Sequence, residues 1–237
     1  MRFERQIIVS TLILLAMGSA DVFASAGGSM GGGSSRGSMQ SSLPRTPEQP
    51  AIDAYNSGVN YVKKAKDFEN DAAKASNDEK KTKALDKARK AYGSALDQFK
   101  QAVDKKPDLF QAWNYIGFSQ RHLGDYESAL TAYAHALELN PAYAEAIEYR
   151  AEAYLALNRI EDAKSAYMNL FRDVRPLADE LMTAMHRWID ERQSNPNGVG
   201  SEELAAFAKW VEERATVAQQ TASLAEPAAR GPIGDWK

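Results

Sequence analysis

The stretch AWNYIGFSQRHLGDYESALTAYAHALELNP, residues 112–141, places a Trp, a Phe, three Tyr and two His within thirty residues. Such a crowd could be a stacking platform, a metal nest or a helical core, and spacing decides between them. Ala95, Ala129 and Ala163 lie 34 residues apart, and so do Phe99, Tyr133 and Tyr167. Ala102, Ala136 and Leu170 keep the same interval, as do Tyr92, Tyr126 and Ile160. Pro107 and Pro141 follow it, and Pro176 arrives one residue late. Registers that agree on one period of this length mark a repeated supersecondary unit. From Ala51 to about Gln220 the apolar spacing is helical, and no alternating run of β-branched residues suggests a strand. The expected class is all-α.

The segment 110–143 resembles the tetratricopeptide repeat. Trp113, Ile116 and Gly117 stand on its first helix, Gly124 and Tyr126 at its turn, and Ala129, Tyr133, Ala136 and Pro141 on and after its second. Residues 144–177 look like another copy, with Ile147, Ala151, Tyr154, Ala163, Tyr167 and Leu170. That copy departs from the pattern with Arg150 at a commonly apolar position and Asn158 in place of a turn Gly, and Asn tolerates the left-handed conformation found there. An earlier copy, 51–109, is altered. Its first helix is marked by Tyr55, Gly58 and Tyr61 and its second by Tyr92, Ala95, Phe99 and Ala102. Gly58 and Ala95 are 37 residues apart against 12 from Gly117 to Ala129, an insertion of 25. The inserted sequence is rich in Ala, Lys, Asp and Glu, so both helices should be lengthened by three to four turns and meet near Ser76-Asn77-Asp78. The resemblance thus implies an α-solenoid of about three helix-turn-helix repeats, with a long first hairpin and, over 178–220, a C-terminal helical cap. Pro176 suits a first helical position, and Ser201 with two Glu suits the next start. Trp188 and Trp210 are then core of that cap rather than ligand groups, because a solenoid end must cover its apolar face.

In this reading Trp113, Tyr126 and Tyr133 are packing positions, Gly117 and Ala129 let the helices approach, and Pro141 closes the unit. The family geometry implies a groove lined by the first helix of each unit. It would present Tyr55 and Val59, then Gln111, Asn114, Phe118 and Arg121, then Glu145, Glu148 and Glu152. The three Glu fall at i, i+3 and i+7, along one side of a helix. They form either an acidic ridge that takes a basic or polar peptide segment, or a solvated face paired with Arg121 at little gain in stability. Some family members hold a partner's C-terminal carboxylate with Lys, Asn and Arg. The matching positions here are Tyr55, Val59, Tyr115, Glu145 and Tyr149, so that clamp is not expected.

The rest of the chain bounds the setting. Residues 1–26 carry Arg2 and Arg5, an apolar run from Ile7 to Met17 and Ala24-Ser25-Ala26, the layout of a secretory signal peptide cleaved near Ala26. An uncleaved anchor would need a longer apolar run of roughly 20 residues. The expected location is the periplasm or beyond, with no transmembrane segment after cleavage. With no Cys in 237 residues, stability comes from packing without disulfides. Residues 27–50 are a Gly/Ser/Pro linker and 221–237 a flexible tail. Trp236 is either a docking handle or a loose contact to the domain surface. The formal charge of −3 gives no footprint for nucleic acid. The segment 62–91 has ten basic and six acidic residues, and 176–237 has six and ten, so opposite ends could pair head to tail. The basic excess on the hairpin is either a solvated face or a docking surface for an acidic partner or lipid. His122, His135 and His186 have no ligand spacing, and no nucleophile or phosphate-loop motif occurs, so neither catalysis nor a metal or other cofactor is expected. The function implied is a protein-interaction adaptor binding one or more proteins. A module for a cell-wall glycan, stacking on Tyr115 and Phe118 beside Arg121, is the alternative.

Overall fold

A computed structural model describes residues 47–225. The segment 1–26 expected to be a signal peptide, nearly all of the expected linker at 27–50 and the residues from 226, Trp236 included, lie outside the described residues. Among the described residues there are eight helices and no strand. They are α1 (Gln49–Ala73), α2 (Asp78–Lys105), α3 (Phe110–His122), α4 (Tyr126–Leu139), α5 (Ala144–Ala156), α6 (Ile160–Asp173), α7 (Arg175–Ser194) and α8 (Ser201–Ala225). Two compact units result, one holding α1 and α2 through Lys106, the other beginning at Pro107. None of the described helices is long and apolar enough to cross a membrane.

The first unit is a hairpin of 25-residue and 28-residue helices, against 13 and 14 residues for α3 and α4. The excess, 25 − 13 = 12 and 28 − 14 = 14 residues, is between three and four turns per helix. Asn77 starts α2 from an extended backbone, its side chain accepting from the Lys80 amide at 2.9 Å, with Asp78 and Glu79 at the positive helix end. Small residues supply the buried stripes, Ala51, Ala54, Gly58, Ala65 and Ala72 on α1 and Ala84, Ala88, Ala91 and Ala95 on α2. Side chains this short hold two axes close together, and the larger side chains buried with them are few, Tyr92 and Phe99 with Val62 and Val103. Phe99, fully buried, fills the space over Gly58, where an added Cβ would lie 2.6–2.8 Å from the ring.

The second unit repeats that device. A Cβ on Gly117 would lie 2.7–2.9 Å from the buried Tyr133 ring. The first helices α3, α5 and α7 pack successively side by side, with α4 and α6 bridging between them. Helix α7 is therefore more than a lid. Ala178, Leu181 and Met185, all fully buried, stand 34 residues after Ala144, Ile147 and Ala151, so α7 takes the place of a further first helix. The cap core joins Trp188, Phe207 and Val211 to Tyr167 and Leu170, and the Trp188 indole donates to the Leu155 carbonyl at 2.6 Å. Helix α8 continues to Ala225, past the expected end at Gln220. The residues TASLA contain no helix breaker, and the chain first meets one at Pro227, which disfavours helix at the residue before it.

The turns between paired helices show why Asn158 replaces glycine. Gly124 at φ 85° and Asn158 at φ 59° occupy the same left-handed position in successive units. The Asn158 side chain donates to the Asn197 carbonyl at 3.0 Å and accepts from Arg192 Nε at 3.1 Å, fastening the α5–α6 turn to the end of α7 and the loop beyond it. Glycine would relax the backbone there and lose both bonds. Asn158→Gly is expected to lower stability by about 1 kcal/mol in urea unfolding, and a stabilised variant would contradict the role given to the side chain. The glycines separate in the same assay. Nothing lies within 4 Å of a Cβ on Gly93, so Gly93→Ala should stabilise by up to about 1 kcal/mol through helix propensity. Gly58→Ala gains the same propensity but drives a methyl into Phe99, an overpacking cost of roughly 1–3 kcal/mol. It should be net destabilising.

Candidate functional site

Apolar packing accounts for nearly all of α3 and α5. Asn114, Ser119 and Glu148 are the polar side chains that these two helices bury, and Ser119 is satisfied by its own helix, donating to the Tyr115 carbonyl at 2.8 Å. Asn114, Phe118 and Arg121 fall at i, i+4 and i+7 along α3, one stripe of the helix. Glu148 stands 34 residues after Asn114, and Glu152 34 after Phe118, so each pair shares a repeat position.

Arg121 and Glu152 form a close ion pair between α3 and α5, their side chains 10% and 14% exposed. The guanidinium also lies 5.5 Å from the Phe118 ring centre and 5.8 Å from that of Tyr149, so aromatic faces shield it from water. Burial works against the charge on Arg121, but Glu152, Tyr133 and Glu148 outweigh it and its proton is held more firmly than in water. Glu148 is placed differently. Its residue is 2% exposed and its Oε2 has no hydrogen-bond partner. Burial first, and the neighbouring Glu152 second, push its carboxyl well above the usual carboxylate range. Arg121 pulls the other way, while Glu180 on α7 and Glu145 on α5 add to the upward push. One cation thus stands among four carboxylates and is already engaged by Glu152. Asn114, 1% exposed, also has an unpartnered atom, its Oδ1. Burial raises the hydroxyls of Tyr115, Tyr133 and Tyr149, with Glu145 adding at Tyr115 and Glu148 at Tyr149.

The residues expected to line a groove therefore divide. Glu145 is exposed, and Arg121 and Glu152 are half-buried, whereas Asn114, Phe118 and Glu148 are buried. Phe118 departs most from expectation. Only 4% exposed, its ring packs against His122 at 4.4 Å and Tyr149 at 5.1 Å, so packing explains it. Of the repeat positions, Gly117, Ala129 and Tyr133 are buried. Tyr126 is half-buried and Pro141 exposed. Trp113 is half-buried, its indole donating to the Pro107 carbonyl at 2.8 Å and its ring 4.9 Å from that of His135. The sequence reading missed Glu180. The signal was there, because α7 keeps the 34-residue register of α5 and must bring its own polar residues to the edge of the same face. Among the described residues no three His, Cys, Asp or Glu side chains are placed to hold a metal ion.

A raised carboxyl pKa has a fixed sign in stability. Below about pH 4 the folded and unfolded chains both hold the Glu148 proton and the group is neutral in its effect. As pH rises through the unfolded value toward the native one, the unfolded chain releases the proton first and wild-type stability falls. Glu148→Gln removes that loss. Its melting temperature is expected to exceed the wild type's at neutral pH, with the gap closing below about pH 4; a gap that did not change with pH would place an ionised Glu148 in the native protein.

Comparison with known families matches one of these units. Residues 110–143 match the family described as tetratricopeptide repeat. No curated protein matches the chain. Among solved structures the chain is similar to the first tetratricopeptide-repeat domain of Spaghetti (RPAP3) bound to the HSP90 peptide SRMEEVD, at 18% identity and a TM-score of 0.40, over 71% of this chain and 95% of that one. Residues 110–143, which are α3 and α4 with the loop after them, thus match one tetratricopeptide repeat, and α5 with α6 continues its 34-residue register.

Proposed function

We propose that the protein is an exported adaptor of the cell envelope, which holds a partner protein's segment on the α3–α5 face and offers the α1–α2 hairpin as another contact surface. The observation that carries this reading is the polar stripe of Asn114, Arg121, Glu148 and Glu152, which lies in a core otherwise built of small and apolar side chains. Buried polar groups cost stability unless satisfied, so an imperfectly satisfied stripe on the first helices points to a purpose other than packing. Export rests on the basic, apolar and small-residue order of 1–26, and the hairpin's role on exposed Lys63, Lys64, Lys74, Lys80, Lys83 and Lys87. The reading as a glycan-binding module is weaker here, because Phe118 is covered and Arg121 is engaged by Glu152.

A photo-crosslinking amino acid at Gln111 or Glu145, on the first helices, tests the adaptor reading in living cells against one at exposed Thr131 on α4. A discrete protein adduct is expected from the first two positions and not from Thr131. Equal yields at all three, or none at any, would remove the face from consideration, and fractionation of the same cells reports on export.

A further inference from the structure

Lysines and aromatic rings share one side of the α1–α2 hairpin. On α1, Tyr61, Lys64 and Phe68 fall at i, i+3 and i+7, and on α2, Lys80, Lys83, Lys87 and Lys90 fall at i, i+3, i+7 and i+10, so each set is one stripe of its helix. The Lys87 ammonium lies 5.4 Å from the Phe68 ring centre, which puts the two stripes on the same flank, and Lys64 lies 5.4 Å from that of Tyr61. Tyr61 is 36% exposed. The lysines of both stripes are exposed, and among the described residues they make no ion pair. Glu79, Asp86, Asp97 and Asp104 keep to a separate stripe of α2, at i, i+7, i+18 and i+25, where Asp86 pairs with Arg89. Glu69, next to Phe68, is engaged by the Tyr92 hydroxyl at 2.9 Å.

From this juxtaposition we infer that the flank docks on a bilayer surface rich in anionic lipid, its lysines toward the phosphate plane and the Tyr61 ring among the headgroups. This deepens the hairpin's part in the adaptor reading, on which it rests for the exported setting. The lysine stripe of α2 runs for about 15 Å, a length that suits a plane of charge better than a single carboxylate. Its cations are all lysine, a point charge on a flexible stem, and not the arginine fork that suits carboxylates fixed in a folded partner. An amphipathic ring beside lysine is the composition favoured at a membrane–water interface, and each lysine near an anionic surface adds to the attraction.

Flotation of the protein, as isolated from cells, with phosphatidylcholine vesicles holding or lacking about 30% phosphatidylglycerol tests the docking. Binding is expected only to the anionic vesicles and should fall about tenfold or more as salt rises from about 0.05 to about 0.5 M. Lys83→Gln/Lys87→Gln/Lys90→Gln should weaken it by about tenfold or more and Tyr61→Ala by about threefold. Lys63→Gln/Lys74→Gln/Lys100→Gln removes the same charge from exposed lysines off the flank and should cost little. The chain has no Cys, so a nitrobenzoxadiazole dye on Ser94→Cys reports the stripe and one on Thr82→Cys a position off it. Only the first should brighten with anionic vesicles. Equal flotation with the two compositions, an equal loss from both lysine triplets, or equal brightening of both dyes would overturn the proposal. So would binding to polyglutamate in preference to vesicles, which would make the partner an acidic protein. Failed flotation with the Gln111 and Glu145 adducts present would strike the lipid contact alone, whereas absent adducts with flotation intact would strike the adaptor face alone.

Discussion

The architecture depends on a missing side chain. Wherever a first and second helix pair closely, one presents a residue without bulk and the other lays an aromatic ring across it, as Phe99 does over Gly58 and Tyr133 over Gly117. Ala151 and Tyr167 hold the same repeat positions within a shared buried cluster. The ring supplies apolar area and the small residue sets the distance between axes, so a single contact fixes both cohesion and geometry. The 34-residue period is the sequence record of that contact. It survives in the long hairpin, where the insertion separates the partners in the chain but leaves Gly58 opposite Phe99.

Much of this was legible because the contact is made of unusual residues at fixed spacing. The period of Phe99, Tyr133 and Tyr167 defines the units, and the surplus between Gly58 and Ala95 defines two longer helices and their meeting point at Asn77. Less legible was α7. Pro176 and a plain amphipathic stripe suggest a cap, yet Ala178, Leu181 and Met185 continue the repeat register, so α7 both caps the stack and extends it. The register was readable, but without a matching second helix the unit does not announce itself. The end of α8 is not marked in the sequence, because TASLA carries neither an apolar period nor a helix breaker.

The candidate site was legible as a set of positions and illegible as an environment. Spacing brings Asn114, Arg121, Glu148 and Glu152 to one side of two helices. It cannot say that Phe118 is spent on its neighbours or that Glu148 lies under cover while Glu145, one turn away, does not. Burial depends on what lies across from a residue. Here that means α4 and α7, which pack against α5 and bring Tyr133 and Glu180 within electrostatic reach of Glu148. The electrostatic character of Glu148 follows from this crossing of elements, and no reading of α5 alone supplies it.

The alanine stripes of the α1–α2 hairpin bear on how the chain acquires its structure. Only four residues, 74–77, separate the two helices, so the closing loop is short and each turn meets its partner by propagation from the tip. Because alanine contributes little area at each step, no single turn dominates the cohesion. The hairpin behaves as a zipper that closes from the short loop and opens by increments from the far ends of α1 and α2, so the Gly58–Phe99 contact guards the end at which opening begins.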